Sequence, residues 1–194
     1  MLKDWSNVII PEEEEINERL EKARNKLVQQ QILIMQKKLP VLVSFDGWGA
    51  AGKGSILGKI IKNIDPRFFK VAVMDKPTED EKRRPFLYRY VINIPEAGKF
   101  TFMDGGCLDE VTKQKLSGKI TDEEYKRKIE SVKRFERQLS DNGYLVIKFF
   151  FHIGEQEQRK RLTRLLDDKN TRWRVSEYDW WQNQHYKKSL KAFD

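Results

Sequence analysis

A glycine-rich segment between an apolar run and an amphipathic run constrains the fold of this chain more than any other feature. Gly47 is followed by four residues and then by Gly52-Lys53, which is the spacing of a phosphate-binding loop. Residues 40–45 are apolar and β-prone, whereas residues 55–63 carry apolar side chains at helical spacing. Glycines allow backbone N–H groups to turn towards phosphate, and the helix N-terminus and the lysine add positive charge. The segment therefore predicts a strand, a phosphate-binding loop and a helix, in that order.

The two residues after the loop lysine bear on metal binding. A serine or threonine hydroxyl usually follows that lysine and ligates Mg²⁺, but this chain has Gly54 there and Ser55 one position later. Either the Ser55 hydroxyl takes that part or the loop lacks it. The predicted phosphate-binding set of the loop is Gly47, Gly52, Lys53, Gly54 and Ser55.

Composition bounds the class of protein. The 194 residues suit one α/β domain or a domain with an appendage, and no stretch of 18 apolar residues predicts a membrane span. A single cysteine excludes an internal disulfide framework and fits the cytoplasm. The formal net charge of +8 is typical of a protein with an anionic partner, although a solvated lysine-rich surface gives the same value.

Strand-like and helix-like segments alternate along the chain, which predicts a parallel sheet with helices on both faces. The predicted strands span 40–45, 69–74, 99–103 and 144–151. The predicted helices span 11–38, 55–63, 79–93 with a break at Pro85, 121–141, 155–166 and the segment after Ser176. The run 144–151 is the most hydrophobic of the strands, so we expect it to be buried on both faces.

We divide the chain into a helical extension over residues 1–38 and a phosphate-loop domain over residues 39–194. The apolar stripe of the first helix fits packing either on its own domain or on a neighbouring copy. The helical pattern is still running at Phe193-Asp194, without a glycine stop. We therefore expect the sequence to be part of a longer polypeptide.

Two aspartates are candidate metal ligands. Asp104 follows the predicted strand 99–103, where a carboxylate that holds Mg²⁺ belongs in a phosphoryl-transfer site; an ordinary turn aspartate is the alternative. Asp46 stands just before the loop and is either a second ligand or a cap of the strand. Because phosphoryl transfer needs cations around the phosphates and a carboxylate for the metal, Lys53 and Asp104 are the first candidates for catalysis.

Arginine-rich stretches supply further candidate phosphate ligands, because guanidinium groups match phosphate geometry. One stretch spans 82–90 and contains Arg89, and a later one contains Arg172 and Arg174. A solvated helix face is the alternative for both. The segment 172–181 is either a mobile lid or packs its tryptophans on the core.

A lysine interrupts the most hydrophobic strand. Lys148 stands within the run 144–151, and a buried lysine without a partner is unfavourable. Its ammonium group therefore either reaches the phosphate pocket from the strand or pairs with a carboxylate.

Many short motifs, in this order, resemble the polyphosphate kinase 2 family over about residues 38–192. The motifs are Gly47-Trp48-x-Ala50-Ala51-Gly52-Lys53-Gly54, Asp65-Pro66-Arg67, Lys76-Pro77-Thr78-x-x-Glu81, Arg89-Tyr90, Phe135-Glu136-Arg137-Gln138-Leu139, Asp141-x-Gly143, Val146-x-Lys148-Phe149, Arg172-Trp173-Arg174 and Ser176-Glu177-Tyr178-Asp179-Trp180. The likeness is strongest to the polyphosphate:AMP phosphotransferase branch, whose members often carry two fused copies of the domain.

The resemblance implies a three-layer α/β/α fold of the P-loop kinase type with a helical lid. It also implies Mg²⁺-dependent transfer of a phosphoryl group between inorganic polyphosphate and AMP or ADP, with Lys53, Asp104 and Arg89 in catalysis. The polyanion would lie along the arginine-rich lid. The implied partners are polyphosphate, nucleotide and a second copy of the domain, in a homo-oligomer or within one chain; neither a membrane nor nucleic acid is expected.

Two glycines depart from the family pattern. The family loop usually carries an aspartate where this chain has Gly49, and an arginine usually follows the strand-end aspartate where this chain has Gly105. Asp46 and Asp109 are the candidate replacements for the carboxylate. The alternative function is therefore a catalytically degenerate copy that binds polyphosphate or nucleotide, or assembles with an active domain.

Two further functions share part of this pattern. A nucleoside-monophosphate kinase that uses ATP has the same loop and most of the same fold features. A nucleic-acid-binding module would use the net charge of +8, although no stacking platform or recognition-helix pattern supports it.

Overall fold

The computed structural model describes residues 11–194. Four parallel strands form one sheet in the order β2-β3-β1-β4, as the alternating pattern predicts. The strands are β1 (Val41–Gly47), β2 (Phe69–Val73), β3 (Phe100–Asp104) and β4 (Leu145–Phe151). The α-helices are α1 (Glu13–Gln36), α2 (Lys53–Ile61), α3 (Glu79–Lys82), α4 (Tyr88–Val91), α5 (Cys107–Leu116), α6 (Asp122–Asp141), α7 (Glu155–Asp167), α8 (Glu177–Gln184) and α9 (Tyr186–Phe193). None of these helices is both long enough and apolar enough to cross a bilayer.

Strand β1 is the centre of the core, and all seven of its residues are buried. Successive side chains of a strand point to opposite faces of the sheet. Val43 and Phe45 accordingly join an apolar cluster with Leu57 of α2, whereas Leu42 joins a cluster with Val132 of α6. Helices therefore cover both faces of the sheet, and the predicted three-layer α/β/α arrangement is confirmed.

Strand β4 is an edge strand, so the expectation that it is buried on both faces is wrong. It pairs with β1 along its whole length, and the described residues add no strand beyond it. Leu145, Phe149 and Phe150 are 42%, 45% and 43% exposed. A hydrophobic sequence favours a buried strand, but the order of the strands in the sheet decides whether a further strand lies beside it.

The boundaries of the helices follow local signals where such signals exist. Thr121 and Glu124 form the capping box that begins α6. The predicted helix 79–93 is interrupted as expected, because α3 ends at Lys82 and α4 begins after Pro85. Helix α5 is not among the predicted helices, and the segment after Ser176 forms two helices rather than one.

Helix α1 packs on its own domain, which decides between the two alternatives for its apolar stripe. Leu27 and Ile34 contact the cluster beneath α2. Gln31 is buried, and its Oε1 accepts a hydrogen bond from the Asp65 backbone N–H at 3.3 Å. The domain boundary at residue 38 stays a prediction, and residues 1–10 of the predicted extension lie outside the described residues.

Candidate active site

The phosphate loop connects the end of β1 to the start of α2. Gly47 has φ +119° and Gly52 has φ +95°, which are backbone conformations that favour glycine. The Trp48 N–H donates to the Phe151 carbonyl at 3.0 Å, so the loop begins against the end of β4. Since the sheet is parallel, the end of β3 at Asp104 lies at the same edge.

Trp48 anchors the first half of the loop. Its side chain is completely buried and stacks on Tyr186 of α9 with 4.2 Å between ring centroids. The ring of Phe193 meets it edge-on at 5.3 Å. Helix α9 therefore packs against the first half of the loop through these ring contacts.

A buried amide network holds the loop at Gly49. Its N–H donates to Gln182 Oε1 at 2.9 Å, and its carbonyl accepts from Gln158 Nε2 at 3.2 Å. The two glutamine side chains also bond to each other at 2.9 Å. Both backbone groups of Gly49 are thus engaged by α7 and α8, so this part of the loop is fixed by the protein itself.

The second half of the loop retains free donors. Within residues 11–194, the backbone N–H groups of Lys53, Gly54 and Ser55 have no hydrogen-bond partner. These groups form the first turn of α2, where the helix dipole also favours an anion. Three of the five predicted phosphate-binding residues of the loop therefore present free amides at a helix N-terminus, where an anion can bind. Their contact with phosphate stays a prediction.

Lys53 folds back over the loop. Its Nζ donates to the carbonyls of Trp48 at 2.8 Å and Gly47 at 3.2 Å, which leaves one of its three donors for a ligand. Burial lowers the pKa of Lys53, whereas the nearby carboxylates of Asp109 and Asp104 oppose this shift. The ammonium group is therefore held in a partly desolvated site lined with acidic groups.

Asp104 lies beside the start of α2, as the sequence predicts. Its Oδ2 is 3.7 Å from the position that a Cβ on Gly54 would occupy. Burial raises the pKa of Asp104, and the positive charges of Lys53 and Lys113 oppose this rise. The carboxylate thus faces the residue where the hydroxyl of other phosphate loops would be.

Two charged residues of α5 belong to the site: Asp109, which is one of the candidate carboxylates named from the sequence, and Lys113, which no sequence motif marks. Asp109 is buried, and its Oδ2 pairs with Lys113 Nζ at 2.7 Å. Burial lowers the pKa of Lys113, but the charge and the hydrogen bond of Asp109 and the further carboxylates nearby raise it, and the net shift is upward. Lys113 also affects the pKa of Lys53 and Asp104, which makes it a second cation of the site.

Asp46 holds the start of α5. Its Oδ1 accepts a hydrogen bond from the Gly106 N–H at 2.7 Å, and its Oδ2 accepts one from the Ser44 hydroxyl at 3.2 Å. Burial and the charge of Asp109 raise the pKa of Asp46 to about 6, although both hydrogen bonds oppose the rise. A part for Asp46 in metal binding stays a prediction.

The raised pKa of Asp46 makes folding stability depend on pH. The folded chain binds this proton more tightly than the unfolded chain, so the free energy of unfolding falls as pH rises from about 4 to about 6. Asp46→Asn keeps an acceptor for Gly106 and removes the charge. Between pH 4.5 and pH 7.5, urea unfolding should show this variant gaining about 2 kcal/mol relative to the wild type. An equal gain in Asp167→Asn, which changes an exposed aspartate, would contradict this assignment.

Arg89 is a buried cation with spare donors. It is 8% exposed, and its Nε lies 3.7 Å from Glu81 Oε1. In the described part of the chain, its Nε and Nη1 have no hydrogen-bond partner. Buried N–H groups without hydrogen-bond acceptors are unfavourable unless a ligand supplies them, so this observation agrees with the predicted part of Arg89 in anion binding.

The remaining predicted ligands lie apart from the loop in the contacts observed. Lys148 Nζ lies 2.7 Å from Glu136 Oε2. Of the two alternatives for this lysine, the structure therefore has the ion pair with a carboxylate. Arg172 and Arg174 are exposed, and Arg174 lies over the Trp173 ring, which is itself 75% exposed. Their contacts with phosphate, and the lid that they would form, stay predictions.

A divalent cation fits the donor set only together with phosphate. Across residues 11–194, no group of three or more His, Cys, Asp or Glu side chains is arranged to hold a metal ion alone. Mg²⁺ is usually held by one or two carboxylates together with the substrate phosphates. Asp104, partly buried beside the free amides of α2, has the position that such a site requires.

Proteins of similar sequence are named as phosphotransferases. The polyphosphate:AMP phosphotransferase of Pseudomonas syringae is 31% identical over 169 residues, which are 87% of this chain and 34% of that protein. ADP-polyphosphate phosphotransferase 3 of Rhizobium meliloti is 29% identical over 147 residues, which are 73% of this chain and 52% of that protein. The chain thus spans about a third to a half of the length of these relatives.

Solved structures show the same fold. A putative polyphosphate kinase 2 from Pseudomonas aeruginosa superposes with a TM-score of 0.91 at 25% identity, over 99% of this chain and 41% of that one. Polyphosphate kinase 2 from Arthrobacter aurescens superposes with a TM-score of 0.83 at 24% identity, over 90% of this chain and 63% of that one. The fold is that of the P-loop kinases. The family model of polyphosphate kinase 2 matches residues 11–194, and the chain therefore belongs to the polyphosphate kinase 2 family.

Proposed function

We propose that this chain transfers a phosphoryl group between inorganic polyphosphate and a nucleotide, AMP or ADP. The observation that carries the proposal is the group of free donors at the start of α2, with Lys53 and Asp104 beside it. Relatives named as phosphotransferases of polyphosphate with AMP or ADP support this substrate class.

The loop would hold the phosphate that is transferred. The N–H groups of Lys53, Gly54 and Ser55 would donate to its oxygens, and the third donor of the Lys53 ammonium would add a charged hydrogen bond. In the direction of nucleotide synthesis, a phosphate oxygen of the nucleotide attacks the terminal phosphorus of polyphosphate. The bond from that phosphorus to the bridging oxygen breaks, and the polyphosphate chain becomes one unit shorter.

The acidic residues of the site require a cation before negatively charged phosphate groups can bind there. Asp46, Asp104 and Asp109 are carboxylates, and they outnumber the two ammonium groups of Lys53 and Lys113. Such a site repels phosphate unless a cation neutralises part of its charge. We infer that Asp104 would hold Mg²⁺, which would neutralise charge that develops on the phosphoryl oxygens.

Arg89 would bind a second anionic group. Its Nε and Nη1 are buried and have no hydrogen-bond partner among residues 11–194, although Nε lies 3.7 Å from Glu81. A guanidinium binds phosphate through paired donors. A phosphate of either substrate would complete this group. The exposed Arg172 and Arg174 would contact the polyanion further along its length. A cytoplasmic location and pairing with a second copy of the domain also stay proposals.

The alternative of a degenerate binding domain receives no support from the relatives, which are named as phosphotransferases. An ATP-dependent nucleoside-monophosphate kinase shares the loop and is therefore the second candidate. The two enzymes differ in the donor that they accept, so one assay separates them.

The test is a coupled assay of ATP or ADP formation by the full chain in excess Mg²⁺. We expect product from polyphosphate with ADP or AMP, and we expect EDTA to abolish it. Product from ATP and AMP without polyphosphate would favour the second candidate. Absence of turnover at high enzyme concentration, in a folded chain that still binds polyphosphate, would refute the proposal and favour the degenerate alternative.

A further inference from the structure

Helix α5 begins directly after the strand end that carries Asp104. Its first residue is Cys107, and the N–H of its N-cap residue Gly106 donates to Asp46 at 2.7 Å. Asp46 belongs to the end of β1, immediately before the phosphate loop. The first turn of α5 is therefore fixed at the carboxyl edge of the sheet, beside the loop.

Lys113 brings its ammonium group back towards that first turn. A helical side chain leans towards the N-terminus of its helix, so residues four apart meet on one face. Lys113 Nζ accordingly lies 2.7 Å from Asp109 Oδ2, and Asp109 is buried. The ammonium group thus lies close to the start of α5, about one turn before its own backbone.

Helix α8 lies on another side of this ammonium group. Lys113 Nζ is 5.5 Å from the centroid of the Tyr178 ring. The next residue, Asp179, lies against the phosphate loop, because its Cβ is 3.0 Å from the position that a Cβ on Gly49 would occupy. Lys113 is therefore held between the first turn of α5 and the part of α8 that packs on the loop.

The ammonium group of Lys113 has donors left for a ligand. An ammonium group carries three N–H donors, and Asp109 is its only acceptor among residues 11–194. Its side chain is 39% exposed, so these donors are accessible. Burial raises the pKa of Asp104, and the charge of Lys113 is one of two lysine charges that oppose this rise, which agrees with a position near that carboxylate.

We propose that Lys113 is a second phosphate-binding lysine of the active site, which Asp109 holds at the carboxyl edge of the sheet with two donors left for a substrate phosphate. Lys53 would approach the phosphates from the loop, and Lys113 from α5. The effect of Lys113 on turnover rests on the proposed function, but its binding of phosphate is measurable without turnover. The competing explanation is that Lys113 only neutralises the buried Asp109 carboxylate.

Neutralising Asp109 first separates the two explanations. In an Asp109→Asn background there is no carboxylate for Lys113 to neutralise, so Lys113→Met tests phosphate binding alone. Calorimetry with tripolyphosphate and, separately, with AMP should show that Lys113→Met weakens the binding of at least one of them about tenfold, the usual effect of losing a charged hydrogen bond. The ligand that is affected identifies the substrate that Lys113 contacts. Unchanged affinity for both ligands, or a chain that binds neither, would overturn the proposal.

A matched control comes from the same helix. Lys115 of α5 also pairs with a carboxylate, Asp122 at 2.5 Å, so Lys115→Met removes the same charge from another ion pair. In the Asp109→Asn background it should change either affinity less than about twofold, since exposed charges act weakly at a distance. A loss equal to that of Lys113→Met would indicate a general effect of net charge and overturn the proposal.

A conservative variant separates lost donors from a disturbed fold. Lys113→Arg keeps the charge and the donors, and it should retain affinity within about threefold in the same background. Urea unfolding should show similar midpoints for Lys113→Met and Lys113→Arg there, because the ion pair with Asp109 is already absent. Equal losses of affinity in the two variants would overturn the proposal. A wild type without turnover would refute the proposed function, and the calorimetry would still decide whether Lys113 binds phosphate.

Discussion

Alanine at position 53 is expected to lower kcat for phosphoryl transfer by about 100- to 1,000-fold, the usual effect of removing a charged group that stabilises the transition state. The ammonium group of Lys53 bonds to the first half of the loop, through the carbonyls of Gly47 and Trp48. The measurement is the initial rate of nucleotide formation from polyphosphate. We expect the fall in kcat because the negative charge on the transferred phosphoryl group would no longer be stabilised by the ammonium group of Lys53.

A matched variant distinguishes this effect from a general loss of positive charge. Lys59→Ala removes an exposed lysine from the same helix, α2, and should leave the rate within a factor of two. Because burial lowers the pKa of Lys53, the buried ammonium does not favour folding, and Lys53→Ala should unfold at a urea midpoint close to that of the wild type. Equal losses of rate in the two variants would contradict the assignment of Lys53 to the site.

Alanine at position 47 is expected to lower the free energy of unfolding by at least about 3 kcal/mol. Gly47 has φ +119°, and a Cβ there would lie 2.7 Å from the Phe151 N and 2.9 Å from the Phe151 carbonyl carbon. These are backbone atoms of β4, so the clash cannot be relieved by a side-chain rotation. The last pairing of β1 with β4, Gly47 with Phe151, must open, and the loop moves with it.

The control for this variant is a second loop glycine in a similar conformation. Gly52 has φ +95°, but a Cβ there would meet no atom within 4 Å. Gly52→Ala should therefore lower the free energy of unfolding through backbone strain alone, by about 1–2 kcal/mol. Urea unfolding of the two variants separates collision from strain, and equal destabilisation would show that the contact with β4 is not the cause.

The sequence predicts the parts of this site that are local in the chain. Gly47, Gly52 and Lys53 stand in one motif, and Asp104 ends a recognisable strand. The parallel sheet then brings Asp104 to the loop, because the carboxyl ends of parallel strands share one edge.

The parts that sequence alone does not reveal depend on contacts between distant elements. Helix α5 begins at Cys107, and the N–H of its N-cap residue Gly106 donates to Asp46 of β1, so the cap has no local signature in the sequence. Lys113 joins the site only through that helix, as does Asp109, which the sequence marks as a candidate carboxylate without giving its place in the fold. Strand β4 is hydrophobic enough to be central, yet Phe149 and Phe150 are half exposed because the strand order puts it at the edge.

The support of the phosphate loop by the C-terminal helices sets the order in which the protein becomes functional during its synthesis. Gly49 bonds to Gln182, which follows 133 residues later in the chain, and Trp48 stacks on Tyr186. A ribosome therefore releases strand β1, helix α2 and the loop long before the residues that fix the loop exist. The loop of the nascent chain cannot reach its final geometry until α8 and α9 have emerged and folded back. The phosphate loop is therefore completed only after the whole domain has been synthesised.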